Sequence, residues 1–202
     1  MENPIWQGLS IVADMMALNL LTLLCSLPVV TAGAALTAMN GTVIRILRGS
    51  EGSGVARSFF SEFRQNLKNG ILLGLLLLTA AGLLCFDYLA ALAYVPSLRF
   101  GIAAIGVLLL ALAIYAFALL ARYDRSLPGT LKNAAALAVA YFPQTLGMLC
   151  FCAAFWLLCI TFIRWGAPIL FLFGLSLPCY VCIALMKKMF NQLEKEDGTD
   201  EH

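Results

Sequence analysis

The sequence is short of charge and of histidine, and each shortage excludes a class of protein. Only 12% of its 202 residues are charged and 62% are hydrophobic, whereas soluble domains average about 25% and about 45–50%. His202 is the only histidine, which leaves no candidate for a buried catalytic triad or a haem ligand. The net charge of +2 is too small to indicate nucleic acid. We therefore expect a membrane protein that is not an enzyme, has no cofactor and does not bind nucleic acid.

The apolar runs predict an all-α polytopic bundle, because about 20 helical residues cross a bilayer. We expect one transmembrane domain over residues 1–190 and a short polar tail over residues 191–202. The five predicted crossings are residues 9–39, 70–92, 101–121, 143–163 and 167–186.

Two prolines lie well inside these predicted crossings, away from their ends. The first crossing is long for one pass, so we expect a tilted helix kinked at Pro28, which removes a backbone donor. Pro178 predicts a second kink, near the middle of the last crossing.

A polar stripe runs along the first predicted helix, within an arc of about 60° at 100° per residue. Its members are Asn19, Thr22, Ser26, Thr37 and Asn40. Hydroxyl and small side chains let membrane helices pack closely, so we interpret the stripe as facing the bundle interior. A solute path along it is the alternative.

The basic residues alternate between the two sides of the predicted bundle. Eleven of the thirteen fall in one set of alternate segments, and Arg99 and Arg164 fall in the other. Since Lys and Arg accumulate on cytoplasmic loops, we predict an external N-terminus and a cytoplasmic C-terminus.

Two of the segments on the basic side have the pattern of amphipathic helices, at residues 55–69 and 127–141. We expect them to lie on the inner leaflet, where anionic lipids attract Lys and Arg. The lipid bilayer is therefore the first expected partner.

Asp14 and Asp87 are the ionisable residues at predicted membrane depth, where an unpaired charge is costly. With Arg99 and Arg164 they are candidates for a polar pocket at the outer face. Two interpretations stay open: structural pairing at the interface, and a pocket for a solute or a partner.

The seven cysteines lie in apolar runs without a nearby histidine. We predict no metal site from them, because zinc sites need a closed set of cysteine and histidine ligands.

Three stretches carry a family resemblance: LLTLLCSLPVVTAGAALTAMNGTVIRILRG, FFSEFRQNLKNG and ARYDRSLPGTLKNAAALAVAYFPQTL. They resemble the YesL family of bacterial membrane proteins, a domain of unknown function with no established site residues. Because its members often occur beside sugar-uptake transporters, the resemblance implies a non-enzymatic accessory or regulatory component linked to carbohydrate uptake in the bacterial cell membrane. Transporter subunits or a second copy of the chain would then be its partners. The alternative is a small solute carrier that acts as an oligomer.

Overall fold

The computed structural model describes residues 4–49, 54–123, 127–161, 168 and 171–197. The regular elements of these residues are all helical, which confirms the all-α prediction. In chain order the α-helices are α1 (Pro4–Ser26), α2 (Ala32–Arg48), α3 (Val55–Gln65), α4 (Leu67–Tyr94), α5 (Arg99–Arg122), α6 (Leu127–Ala140), α7 (Phe142–Thr161) and α8 (Ser176–Asp197).

Four helical segments of the described chain are long and apolar enough to cross a membrane. They are Val29–Arg48, α4, α5 and α7. The parts of α1 and α8 over Ser10–Ser26 and Ser176–Lys187 are shorter apolar helices. These segments indicate a membrane protein.

The first apolar stretch, predicted as one kinked helix over residues 9–39, is instead two helices. α1 ends at Ser26, and a 3-10 turn at Val29–Thr31 leads into α2. Pro28 lacks an amide hydrogen and disfavours helical geometry at the residue before it. The Thr31 hydroxyl donates to the Cys25 carbonyl at 2.7 Å, which closes the turn.

α1 and α2 form a hairpin. α1 packs along α2, and α3, which follows α2, contacts both. Met15 and Leu18 of α1 accordingly share a buried cluster with Val43 of α2 and Phe59 of α3. The start of α1 therefore lies at the same end of the bundle as the end of α2.

The tip of this hairpin is held against α4 by direct backbone contact. A Cβ atom added to Gly74 would lie 2.6 Å from the Gly33 Cα atom, and one added to Gly70 would lie 2.7 Å from the Ala34 Cα atom. Only glycine permits such an approach between membrane helices. Because Gly70 and Gly74 lie in the first third of α4, the tip packs beside that part of the helix.

A second buried cluster joins α4 and α5 to the C-terminal helices. It contains Leu73, Tyr115, Ala134, Met148 and Met186. The Tyr115 and Thr145 hydroxyls lie 2.9 Å apart and connect α5 to α7. Since lipid tails are as apolar as this interior, close packing and such interhelical bonds hold the helices together.

The two predicted amphipathic segments are helical as α3 and α6. α3 ends at Gln65, and Asn66 separates it from α4. Within α3, Phe59 and Glu62 are buried, whereas Phe60 is 46% exposed. One face of α3 therefore packs against other helices of the protein, which the prediction of a helix on the inner leaflet did not include.

The last predicted crossing, residues 167–186, is interrupted before Pro178. Residues 171–173 are helical, residues 174 and 175 form a turn, and α8 begins at Ser176. Pro178 is thus in the first turn of α8, where a missing amide hydrogen costs nothing. α8 continues to Asp197, so the predicted tail over residues 191–202 is helical in its first part.

Candidate functional site

A cavity of about 630 Å³ lies between the hairpin tip, α4 and α5. The tip contributes residues from Val29 to Leu36, α4 contributes residues from Gly74 to Tyr88, and α5 contributes residues from Ile102 to Phe117. Its volume is within the range of ligand pockets, about 300–1,000 Å³.

The lining of this cavity is apolar. Cys85 and Tyr88 are its most polar members, and none of the described residues that line it is charged. Leu78 and Leu110, which also line it, are 51% and 53% exposed, so the cavity is open along one side. It suits an apolar group and offers little to a molecule rich in hydroxyls.

A polar node lies apart from the cavity, where the last apolar segment is interrupted. Asn19 of α1 is fully buried. Its amide nitrogen donates to the Phe171 carbonyl at 2.8 Å, and its side-chain oxygen accepts the Leu175 and Ser176 amides at 2.9 and 3.1 Å. One side chain thereby satisfies backbone groups on both sides of the interruption, which a membrane would leave without water.

Ser176 is next to this node and is fully buried. Among the described residues, its hydroxyl has no hydrogen-bond partner. Buried polar groups normally find a partner, so this hydroxyl is the one polar group of the node without an observed role.

The other members of the predicted stripe turn inward but bond locally. Thr22 and Thr37 are fully buried, Asn40 is 9% exposed, and Ser26 is partly exposed. Thr22 donates to the Leu18 carbonyl, Thr37 to the Gly33 carbonyl and Asn40 to the Leu36 carbonyl, each four residues earlier in its own helix. The hydroxyl protons of Thr22 and Thr37 are therefore used within their own helices.

The candidate outer pocket is not assembled by the described residues. Asp14 lies 12 residues before the end of α1 at Ser26, which is about 18 Å from the hairpin tip, toward the end of the bundle where α1 begins. Asp87 lies in α4 between cavity residues that face the N-terminal half of α5. The hairpin therefore separates the two aspartates toward opposite ends. Arg164 lies outside the described residues.

Arg99, the fourth candidate, is exposed at the start of α5. Its guanidinium carbon lies 4.8 Å from the ring centroid of Phe100, a cation–π contact. Within the described ranges it makes no ion pair.

Sequence reasoning missed an ionic cluster between α2 and α3 in which the carboxylate is buried and the arginine is half-exposed. Arg45 pairs with Glu62 at 2.6 Å; their side chains are 44% and 8% exposed. The Asn66 amide nitrogen is 3.3 Å from the second Glu62 oxygen, and Gly41 leaves room for the carboxylate. The sequence did contain an indication that Glu62 is buried: it follows the apolar Phe59 by three residues and therefore lies on the same helix face.

The cysteines are thiols, and two of them meet between α7 and α8. The Cys152 and Cys182 sulfurs are 3.8 Å apart. Over the residues that the structure describes, no group of three or more histidine, cysteine, aspartate or glutamate side chains is arranged to hold a metal ion.

Comparison with known proteins gives one finding. Residues 15–88, which run from the middle of α1 through α2 and α3 to most of α4, match a family described as "Protein of unknown function, DUF624". No curated protein and no solved structure matches the chain. The matched part contains the tip of the hairpin, Asn19 and the Arg45–Glu62 pair, but the family description assigns no activity to them.

Proposed function

We propose that the chain is an integral, multi-pass component of the bacterial cell membrane that assists or regulates carbohydrate uptake without catalysing a reaction. The resemblance to the YesL family supports the link to carbohydrate. The apolar lining of the cavity is the observation that favours an accessory role over a carrier. A sugar that enters it would lose its hydrogen bonds to water and find few replacements.

The local bonding of the buried hydroxyls supports the same choice. Transport sites at membrane depth are lined by unwound backbone and free polar groups. Here Thr22 and Thr37 bond within their own helices, and Asn19 occupies the amides at the start of α8.

A carrier is the second candidate, and one observation favours it. The last apolar segment is discontinuous, as in many transporters, and the Ser176 hydroxyl beside the interruption has no partner among the described residues. The carrier would then act as an oligomer, whose subunits together form a solute path beside the interruption.

We further propose a revised orientation, in which both ends of the chain are cytoplasmic. The hairpin puts the start of α1 beside the end of α2, which carries Arg45 and Arg48, and basic residues mark the cytoplasmic side. The external N-terminus predicted from five crossings required a single first helix. A compartment reporter before Pro4 should be active on the same side as one after Gly49; opposite sides would exclude this orientation.

Three measurements separate the accessory role from the carrier. The full chain, cross-linked in native membranes and extracted gently, should bring with it the membrane subunits of a carbohydrate transporter. Deletion of the chain should lower sugar uptake only in cells that contain that transporter. Saturable sugar uptake by liposomes that hold the purified chain alone would overturn the accessory role and support the carrier.

A further inference from the structure

The cavity beside the hairpin tip has the shape of a long slot. Along α4 its lining extends from Gly74 to Tyr88, which at 1.5 Å per residue is about 21 Å. A volume of about 630 Å³ over that length corresponds to a mean cross-section of about 30 Å², since a helix rises evenly. The slot is therefore about three times as long as it is wide.

These dimensions distinguish between the two apolar occupants that a membrane offers. An α-helix with its side chains is about 10–12 Å across, which is wider than the slot. A hydrocarbon chain, whose carbons contact neighbours at about 3.5–4.0 Å, fits it. Leu78 and Leu110 leave the slot open on one side, so a chain can enter sideways from the bilayer.

One end of the slot is positively charged. Arg99 precedes the lining residues Ile102 and Ala103 by three and four positions, so it shares their helix face one turn beyond the lining. Helical side chains lean toward the N-terminus, which directs Arg99 away from the apolar part. The first turn of α5 adds partial positive charge, and its N-cap residue Leu98 forms no side-chain capping bond.

We propose that the slot binds one acyl chain of an anionic phospholipid, whose phosphate lies against Arg99. The apolar length matches the tail, and the cation at the end of the slot is complementary to the headgroup. None of the described residues that line the slot is acidic, and Asp87, which precedes Tyr88 in the chain, is exposed and is not part of the lining. This inference is independent of the proposed role in carbohydrate uptake.

Two glycines provide a matched test of the tail site. A Cβ atom added to Gly106 or to Gly82 would meet nothing within 4 Å, so both positions accept a larger side chain. Gly106 lines the slot and Gly82 does not. Gly106→Leu should obstruct the slot at the level of Gly106, whereas Gly82→Leu should leave it open.

The probe is phosphatidylglycerol with a diazirine on one acyl chain, photolysed with the full-length protein in mild detergent and mapped by peptide mass spectrometry. In the parent protein the adducts should concentrate on slot residues of α4 and α5, and excess unlabelled phosphatidylglycerol should compete. Gly106→Leu should lower the yield of these adducts and Gly82→Leu should not. Equal yields in the two variants, or parent-protein adducts spread equally over exposed residues of α7, would overturn the tail site.

The headgroup site is tested by charge. Native mass spectrometry with phosphatidylglycerol and phosphatidylcholine should show a preference for the anionic lipid that falls about five-fold in Arg99→Gln, the effect of one basic residue near an anionic headgroup. Arg48→Gln is the control, because Arg48 ends α2 far from the slot; this variant should retain the preference for the anionic lipid. An unchanged preference in Arg99→Gln, or an equal fall in both variants, would overturn the assignment of the phosphate to Arg99. If Gly106→Leu does not fold, competition by unlabelled lipid in the parent protein still decides the tail site.

Discussion

Substitution of Gly74 by alanine should separate the hairpin tip from α4. The added methyl carbon would lie 2.6 Å from the Gly33 Cα atom and 3.0 Å from the Gly33 nitrogen, whereas carbon atoms in contact are about 3.5–4.0 Å apart. The helices must therefore move apart by about 1 Å. Both partners are backbone, so no flexible side chain can yield. Overpacking of this kind costs about 1–3 kcal/mol.

Gly82→Ala is the matched control, because Gly82 is on the same helix and its added methyl group would meet nothing within 4 Å. Both changes alter helix propensity equally, so the difference between them isolates the contact. Thermal unfolding in detergent should give Gly74→Ala a lower Tm than Gly82→Ala, by about 2–4 °C for each kcal/mol. Equal Tm values for the two variants would refute the close contact of α2 with α4.

Three further results follow from the interhelical contacts. Asn19→Ala should lower the free energy of unfolding by about 3 kcal/mol or more, because it leaves buried amides without an acceptor. Asn40→Ala, which loses one bond within its own helix, should lower it by less. Unfolding in detergent measures both values, and equal losses would contradict the bridging role of Asn19. Glu62→Gln should destabilise the fold by about 1–3 kcal/mol, because the ion pair with Arg45 is lost while the half-exposed arginine is partly hydrated in its place. An unchanged free energy of unfolding would show that the pair contributes nothing. Membrane-permeant oxidant should join Cys152 to Cys182, which peptide mass spectrometry without reduction detects, and failure to form this link would contradict the packing of α7 on α8.

The sequence was sufficient for the long helices, because the length of an apolar run sets the length of a crossing. α4, α5 and α7 end within three residues of the predicted crossings 70–92, 101–121 and 143–163. The hairpin was not predictable in the same way. Pro28 ends a helix but does not fix the direction of the next one. That direction depends on the contact of Gly33 with Gly74, two glycines whose proximity exists only in the folded bundle.

The same limit applies to the sites. Helical periodicity identified Asn19 as a residue on the polar face, but its partners at Phe171, Leu175 and Ser176 are more than 150 positions away in the chain. Once the first crossing is a hairpin, Asp14 moves to the opposite end from Asp87, so the proposed outer cluster depended on the incorrect first helix. The burial of Glu62 was not predicted, because its charge indicated an exposed position although it lies on the same helix face as the apolar Phe59.

The hairpin of α1 and α2 is the feature on which the cavity, the ionic cluster and the proposed orientation all depend. Its most direct test is the distance between spin labels at Ile11 and Arg48, attached through a non-natural amino acid so that the cysteines stay unlabelled. The hairpin predicts a distance below about 20 Å, because packed helices are about 8–10 Å apart. A single continuous helix through Pro28 would place the two positions about 55 Å apart, and a distance near that value would contradict the hairpin.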